Sequence, residues 1–164
     1  MSDTYKTIIA PTEGIYKEKG SKFLSFAIPV SSVDEVKEIV KNYRKEYYDS
    51  RHVCYAYMLG ADRKEFRAND DGEPSGTAGR PILGQINSRE LTNILVIVVR
   101  YFGGILLGTG GLVVAYKEAT TDALNQAEVI EKTVDETIAI LFDYVLMNEV
   151  MRIIKDTNAQ ISSQ

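Results

Sequence analysis

Two polar segments carry the side chains that could do chemistry in this sequence. The first, DDGEPSGTAGRP at residues 70–81, is called the acidic loop here, and the second, RYFGGILLGTGG at residues 100–111, the glycine segment. Glycines this dense are typical of backbone that turns sharply or closely approaches another group. We predict that the two segments are neighbours in space and form the walls of one solvent-open site.

The acidic loop offers three carboxylates, from Asp70, Asp71 and Glu73. Carboxylates can serve acid–base chemistry or hold a hydrated magnesium ion, which needs only one or two of them. An EF-hand calcium loop is excluded, because Arg67 and Ala78 stand at its first and twelfth ligand positions. A turn held by hydrogen bonds to the aspartates explains the segment more simply, so no metal site is predicted.

The glycine segment follows an apolar run and precedes an alanine-rich helical pattern. It is not a P-loop, because Thr109 replaces the required lysine, and Val113 replaces the last glycine of a dinucleotide fingerprint. A strand-to-helix turn nevertheless presents backbone N–H groups and a helix dipole that favour an anion. An equally weighted alternative is that these glycines only let the following helix lie close to the sheet.

His52 is the only histidine, and Cys54 is the only cysteine. On a strand the two side chains point to the same face. A catalytic histidine would need a nucleophile beside it, and Cys54, Ser75 and Thr77 are candidates by type only. A packed or hydrogen-bonding histidine is the favoured interpretation, so no catalytic residue and no cofactor are assigned.

Cations near the two segments predict a positively charged rim that suits phosphate, from a small molecule or from RNA. The complete set of predicted binding residues is Arg51, His52, Asp70, Asp71, Glu73, Ser75, Thr77, Arg80, Arg100, Tyr101, Gly103, Gly104, Thr109, Gly110 and Lys117.

Hydrophobic periodicity predicts the elements that position these residues. Ser32 caps a helix whose basic face, with Lys37, Lys41, Arg44 and Lys45, is interpreted as solvated rather than as a binding surface. The other predicted elements are a hairpin at residues 15–19 and 22–30, strands at 52–59, 65–68 and 91–102, a helix capped by Thr77 and ending near Ser88, and a helix from Leu112 to Ala127.

Composition places limits on function. The 164-residue chain has a net charge of −4, a pI near 5.1 and 45% hydrophobic residues. These values indicate a soluble globular protein with no global field that would attract nucleic acid, and no DNA partner is expected. The N-terminus lacks signal-peptide features, and the apolar runs are too short to cross a bilayer, so we expect a cytoplasmic protein that does not contact membranes.

Several long motifs resemble the YigZ/IMPACT family. They are RHVCYAY at 51–57, DDGEPSGTAGRPIL at 70–83, VVRYFGG at 98–104 and LGTGGL at 107–112, with KGSKF at 19–23 and AY at 115–116. The resemblance extends over about residues 14–129. Val114 stands where the family usually carries arginine, which removes one cation from the predicted rim.

The resemblance implies an α+β fold: a two-layer α/β sandwich of the ribosomal-protein-S-five-domain-2-like type, shared with domain IV of elongation factor G. We expect this domain at residues 1–130. An incomplete ferredoxin-like βαβ segment, similar to domain V of that factor, is expected at residues 131–164, either truncated or completed by a partner chain. Eukaryotic relatives regulate translation by binding the activator of a starvation-responsive kinase, whereas the superfamily also contains RNA-binding proteins and small-molecule kinases, so fold alone does not fix function.

Two hypotheses follow. The favoured one is a non-enzymatic, translation-linked binding protein that contacts RNA, the ribosome or a regulatory protein through the two segments, with an anion at the glycine segment. The alternative is an enzyme acting on a small phosphorylated or anionic substrate at the same loops. In that case the acidic loop would supply acid–base or magnesium chemistry, while Arg80 and Arg100 would clamp the anion.

Overall fold

The structure, a computed structural model, describes residues 4–134. In chain order its elements are β1 (Thr4–Ile8), β2 (Thr12–Glu18), β3 (Ser21–Pro29), α1 (Val33–Glu46), β4 (His52–Leu59), β5 (Glu65–Asn69), α2 (Gly79–Ser88), β6 (Ile94–Tyr101), α3 (Gly108–Asn125) and β7 (Val129–Thr133).

The main sheet has five strands in the order β2-β3-β6-β4-β5, and every neighbouring pair is antiparallel. The central strand, β6, is buried from Ile94 to Arg100, as a continuous apolar run predicts. The predicted hairpin, the predicted strand at residues 52–59 and its short partner strand are confirmed as β2–β3, β4 and β5.

Helices cover both faces of this sheet. Alternate residues of β6 point to opposite faces, so Val96 and Val98 pack with α2 and α3, while Ile97 and Val99 pack with α1. The mixed α/β class is confirmed, but the expected two-layer arrangement differs from the three layers observed. Its physical reason is that α1 also has an apolar face, with Val36 and Val40 buried, which must be covered.

A second, two-stranded sheet pairs β1 with β7 in antiparallel register from Thr4↔Thr133 to Ile8↔Val129. Neither strand was predicted, because each has only five residues and little alternation. The expected domain boundary after residue 130 falls inside β7. The ferredoxin-like segment expected at residues 131–164 lies outside the described residues beyond Val134.

The helix starts test the predicted caps. Ser32 caps α1 as predicted, with Oγ accepting a hydrogen bond from the N–H of Glu35. Thr77 was expected to cap α2 but does not. Its hydroxyl donates to the carbonyl oxygen of Pro74 instead. Asp70 serves α2 instead, as described below. The helix predicted to begin at Leu112 begins at Gly108.

Gly14 allows the closest approach between a helix and the sheet. A Cβ at this position would overlap the backbone nitrogen of Ala123 on α3 and would lie 2.7 Å from Oγ of Ser25. No side chain larger than hydrogen fits there without moving α3 away from β2. A Cβ at Gly84, within α2, would meet no atom within 4 Å outside its own helical turns, so this residue provides a matched control.

We expect Gly14→Ala to lower the free energy of unfolding by about 1–3 kcal/mol, because the added methyl group overpacks the close contact with α3. Gly84→Ala should raise it by about 0.5–1 kcal/mol, since alanine is the better helix former. Urea unfolding followed by circular dichroism measures both. Equal effects of the two substitutions would contradict the assignment of Gly14 to close packing.

Candidate functional site

The acidic loop and the glycine segment meet, but through a buried ion pair rather than an open cleft. Glu73 and Arg100 are 8% and 5% exposed. Nη1 of Arg100 donates to both carboxylate oxygens of Glu73, at 2.9 and 2.8 Å. The predicted neighbourhood of the two segments therefore holds, whereas the predicted role of Arg100 in a solvent-facing cationic rim is wrong.

The sheet register places the residues beneath this pair. Arg100 lies opposite His52 on β4 and opposite Phe23 on β3, so all three side chains share the face covered by α2 and α3. The guanidinium carbon of Arg100 lies 5.4 Å from the centre of the Phe23 ring. Tyr116 on α3 packs edge-on against the same ring, at 5.1 Å. Arg100 is thus the charged end of an otherwise apolar strand, and its guanidinium carbon also lies 5.6 Å from the centre of the Phe102 ring.

Glu73 collects further donors. The hydroxyl of Tyr116 donates to Oε2 at 2.5 Å, and Nε2 of His52 lies 3.3 Å from Oε1. Nδ1 of His52 lies 2.7 Å from the carbonyl oxygen of Asp71, which only accepts, so Nδ1 carries the proton. Nε2 donates to Glu73 only when the ring is protonated. His52 is therefore a hydrogen-bonding residue of this network, the role favoured from the sequence.

Asp70 organises the backbone of the acidic loop. Its Oδ1 accepts from the N–H groups of Ala78 and Gly79 at 3.1 and 2.8 Å, and its Oδ2 accepts from that of Gly76 at 2.9 Å. Asp70 therefore provides, from a distance in sequence, the helix cap that was expected from Thr77. Burial alone would raise the pKa of Asp70, but the three backbone donors together with the charge of Arg80 outweigh it and hold that pKa below its ordinary value.

Asp71 ties the loop to β4 and α1. Its Oδ2 accepts from the N–H of Val53 at 2.7 Å, and its Oδ1 lies 3.4 Å from Nη2 of Arg44. The backbone of Asp71 has φ +40°, a conformation that aspartate tolerates better than most residues. Within residues 4–134, no group of three or more His, Cys, Asp or Glu side chains comes together in a way that could hold a metal ion.

Cys54 is part of the buried floor and not a nucleophile in contact with solvent. Its Sγ lies 3.1 Å from the carbonyl oxygen of Asp70 and 3.4 Å from the hydroxyl of Tyr116. Burial raises the pKa of the Cys54 thiol far above its ordinary value, and the hydrogen bond with Tyr116 offsets only part of that effect. Burial also raises the pKa of the Tyr116 hydroxyl, helped by Cys54 and Glu73. Both groups are protonated at neutral pH.

The predicted binding residues separate into two groups. His52, Asp70, Asp71, Glu73, Thr77 and Arg100 form or border the buried network, whereas Arg51, Ser75, Arg80, Gly103, Gly104, Thr109, Gly110 and Lys117 are exposed. Tyr101 is half-buried and donates to Oδ1 of Asp49 at 2.9 Å. Burial and that neighbouring carboxylate raise the pKa of Tyr101 to about 12.

The glycines have different roles, and neither sequence interpretation covers all of them. Gly103 packs against the hairpin turn, where a Cβ would overlap the backbone of Gly20, and its N–H donates to Oγ of Ser21 at 3.2 Å. Its amide is therefore not free to hold an anion. Gly104 and Gly108 have φ of +91° and +75°, which other residues rarely adopt. Among the side chains of residues 4–134, none caps the start of α3.

Sequence reasoning missed two features of the surface here. Exposed apolar side chains, Phe102, Ile105 and Leu106, occupy the glycine segment, and Val113 and Val114 follow on α3. A cleft of about 540 Å³ beside Tyr101 is lined at the β2–β3 turn by Lys17, Lys19 and Lys22, together with the single acid Glu18. The density of leucine and isoleucine among the glycines was the available signal for the first feature.

We expect Glu73→Gln to lower the free energy of unfolding by about 3–5 kcal/mol, because it leaves the Arg100 charge buried without a counter-charge. The double variant Glu73→Gln/Arg100→Met should recover much of that loss, and Glu118→Gln on the exposed face of α3 should change stability by less than about 0.5 kcal/mol. Urea unfolding at pH 7 measures all three. A loss from Glu73→Gln no larger than that from Glu118→Gln would contradict the buried pair.

The lowered pKa of Asp70 predicts part of the loss of folding stability in acid. Its folded pKa lies below the unfolded value of about 3.9, so its stabilisation is present above that pH and is lost as pH falls through the folded pKa. We expect Asp70→Asn to be less stable at pH 7 and to lose less further stability than the unaltered chain between about pH 5 and pH 2. Urea unfolding across this range is the measurement. Equal losses of stability in the two proteins over this range would contradict the role assigned to Asp70.

Within residues 4–134, no helix combines the length and apolar character that crossing a bilayer requires. The sequence is 35% identical over 150 residues to the IMPACT family member YvyE of Bacillus subtilis, covering 92% of this chain and 69% of that protein. It is 42% identical over 126 residues to YigZ of Escherichia coli, covering 76% of this chain and 62% of that protein. The chain thus spans about two thirds of the length of these relatives.

A solved structure and a family model also match this chain. A crystal structure described as that of a hypothetical protein matches with a TM-score of 0.77 and 39% identity, covering 81% of this chain and 66% of that one. The model of the Impact N-terminal domain matches residues 19–124, which include β3, the acidic loop, the glycine segment and most of α3. The chain therefore belongs to the IMPACT family.

Proposed function

We propose that this chain is a translation-linked regulatory or binding protein that contacts RNA, the ribosome or a regulatory protein through the exposed surface of the glycine segment. The observation that carries the proposal is how the side chains divide. Asp70 and Glu73 of the acidic loop make hydrogen bonds and an ion pair within the molecule. Apolar and cationic side chains remain at the surface.

The apolar part of this surface lies within residues 102–106. Leu106 is 83% exposed, Ile105 54% and Phe102 36%. Single exposed apolar residues are ordinary in soluble proteins, but a cluster of them beside polar residues is typical of an interaction surface. This cluster favours a partner with a packed surface, such as a ribosomal or regulatory protein, over an isolated anion.

The cationic part adjoins it. The guanidinium carbon of Arg51 lies 5.0 Å from the centre of the Phe102 ring, and Nζ of Lys22 lies 5.3 Å from the centre of the Tyr101 ring. The lysines of the cleft at the β2–β3 turn face the same end of the sheet. Amines and guanidinium groups beside aromatic rings suit phosphates of RNA, which a ribosomal surface presents alongside protein.

The link to translation comes from the family. The motifs that this chain shares with the YigZ/IMPACT family include those at the acidic loop and the glycine segment, and eukaryotic members of that family regulate translation. Because the chain spans 69% and 62% of its bacterial relatives YvyE and YigZ, the activity of the whole protein is part of the proposal.

The alternative, an enzyme acting on a small phosphorylated or anionic substrate, loses most of the residues that were assigned to it. Asp70 is bound by three backbone N–H groups, and Glu73 neutralises Arg100. Arg80 and the uncapped start of α3 remain exposed and could hold an anion, but the general acid or base would have to come from elsewhere. A thermal-shift screen with nucleotides, sugar phosphates and metal ions tests this alternative, since a bound ligand raises the melting temperature.

Ribosome co-sedimentation tests the proposal. We expect the chain to sediment with ribosomes at low salt and Leu106→Asp to abolish this, because a charge at a highly exposed apolar contact is desolvated on binding. Phe66→Asp is the matched control: Phe66 is 57% exposed but lies on β5, at the sheet edge. No sedimentation at any salt concentration, or equal losses from the two variants, would count against this surface.

A further inference from the structure

Four exposed cations of α1 lie on one flank of the helix. Lysine and arginine recur at intervals of three and four residues beside the buried stripe, which places them on one flank of the helix. This cationic flank consists of Lys37, Lys41, Arg44 and Lys45. Of the acids of the helix, Asp34 borders the flank in the first turn, and the others are Glu35, Glu38 and Glu46.

The cationic flank lines a groove, which the sequence alone did not indicate. A concavity of about 490 Å³ is bounded by those four cations together with Tyr48, Val40 and Tyr55. Tyr55 comes from β4, so the groove lies between α1 and the β4 side of the sheet. A volume in this range is typical of sites that hold a small molecule or one segment of a polymer. The flank interpreted as merely solvated is therefore a shaped, positively charged surface.

Aromatic rings make this groove different from a plain cationic patch. Tyr48 follows directly on the cationic flank and is 83% exposed, whereas tyrosine is usually at least partly buried. The half-buried Tyr55 supplies a second ring. Asp71 offsets part of the positive charge, because its Oδ1 lies 3.4 Å from Nη2 of Arg44.

The strand beside Tyr55 extends the positive surface. Arg67 on β5 lies opposite Tyr57, and alternate residues of β4 share a face, so Arg67 and Tyr55 are on the same side of the sheet. Arg67 and Glu65 on this strand are both exposed, and both charges act on the Tyr57 hydroxyl. Arg67 therefore adds one cation beside the rings, and Glu65 on the same face offsets part of its charge.

We propose that this groove binds single-stranded RNA, with phosphates on the lysines and unpaired bases stacked on Tyr48 and Tyr55. Stacking on aromatic rings between cations is how proteins hold single strands, and a duplex hides the faces that would stack. An acidic peptide would use the cations and leave the rings without a role. The inference rests on the proposed function in taking RNA as a partner class, but it uses a different surface from the glycine segment.

The experiment is fluorescence anisotropy of the 164-residue chain with a labelled oligouridylate of about ten nucleotides, within the usual site size of single-strand-binding folds. Each phosphate contact to a single strand contributes about −0.7 to the slope of log K against log salt. We expect a slope between about −2 and −3, and Lys41→Gln/Lys45→Gln should reduce its magnitude by about 1.4. Tyr48→Ala should weaken binding at least about fivefold with little change of slope.

Two control variants separate this proposal from the loop surface. Lys6→Gln/Lys132→Gln removes the same charge at the β1–β7 sheet and should leave RNA binding nearly unchanged. Leu106→Asp should leave it unchanged even if it abolishes ribosome binding. A loss of oligouridylate binding from Leu106→Asp, with no effect of the groove variants, would support the loop surface and overturn the groove.

The proposal would also be overturned by no oligouridylate binding at low salt, by equal losses from the groove and β1–β7 variants, or by oligoglutamate competing as well as unlabelled oligouridylate. A duplex of the same length that binds more tightly would likewise exclude the stacking mode. All substituted side chains are exposed, so thermal melting should show each variant folded.

Discussion

The buried contact between Glu73 and Arg100 is the constraint on which one whole end of this molecule depends. A guanidinium that is 5% exposed needs a counter-charge at hydrogen-bonding distance, because an unpaired charge in a protein interior is strongly destabilising. Arg100 is fixed by the sheet, since β6 is paired on both sides. The acidic loop must therefore fold over the sheet end to deliver Glu73, and Tyr116 brings α3 to the same carboxylate.

This requirement determines which groups remain for contacts with other molecules. The carboxylate oxygens of Asp70 accept hydrogen bonds from the loop backbone and the start of α2. Those of Asp71 contact β4 and α1. What remains at the surface is apolar in the glycine segment and cationic at the β2–β3 turn and along α1. The net charge of −4 therefore does not describe these surfaces, which are apolar in one place and rich in cations in two others.

Local patterns in the sequence were sufficient for most elements, because periodicity depends on neighbours along the chain. The Ser32 cap, the β2–β3 hairpin and β6 follow from such patterns. The partner of Arg100 does not, because Glu73 is 27 residues away and nothing in either segment distinguishes a buried pair from two exposed charges. The same limit explains why Asp70 rather than Thr77 caps α2, and why the tight contact of Gly14 with α3 was missed.

Candidate sites were hardest to predict where a residue type suits both burial and function. Glycine is the clearest case. Gly103 is needed for contact between two backbones, whereas Gly104 and Gly108 are needed for their positive φ, and the sequence does not distinguish these roles.

The lysines of α1 present a different difficulty, because a basic stripe on a helix usually indicates only a solvated face. Only the position of Tyr55 on β4 turns that stripe into one wall of a groove. Because charges beyond about 10 Å are screened at cellular salt, such a wall can attract a polyanion although the chain carries a net charge of −4. The proposed RNA complex therefore depends on how charge is distributed around α1 rather than on its total over the chain.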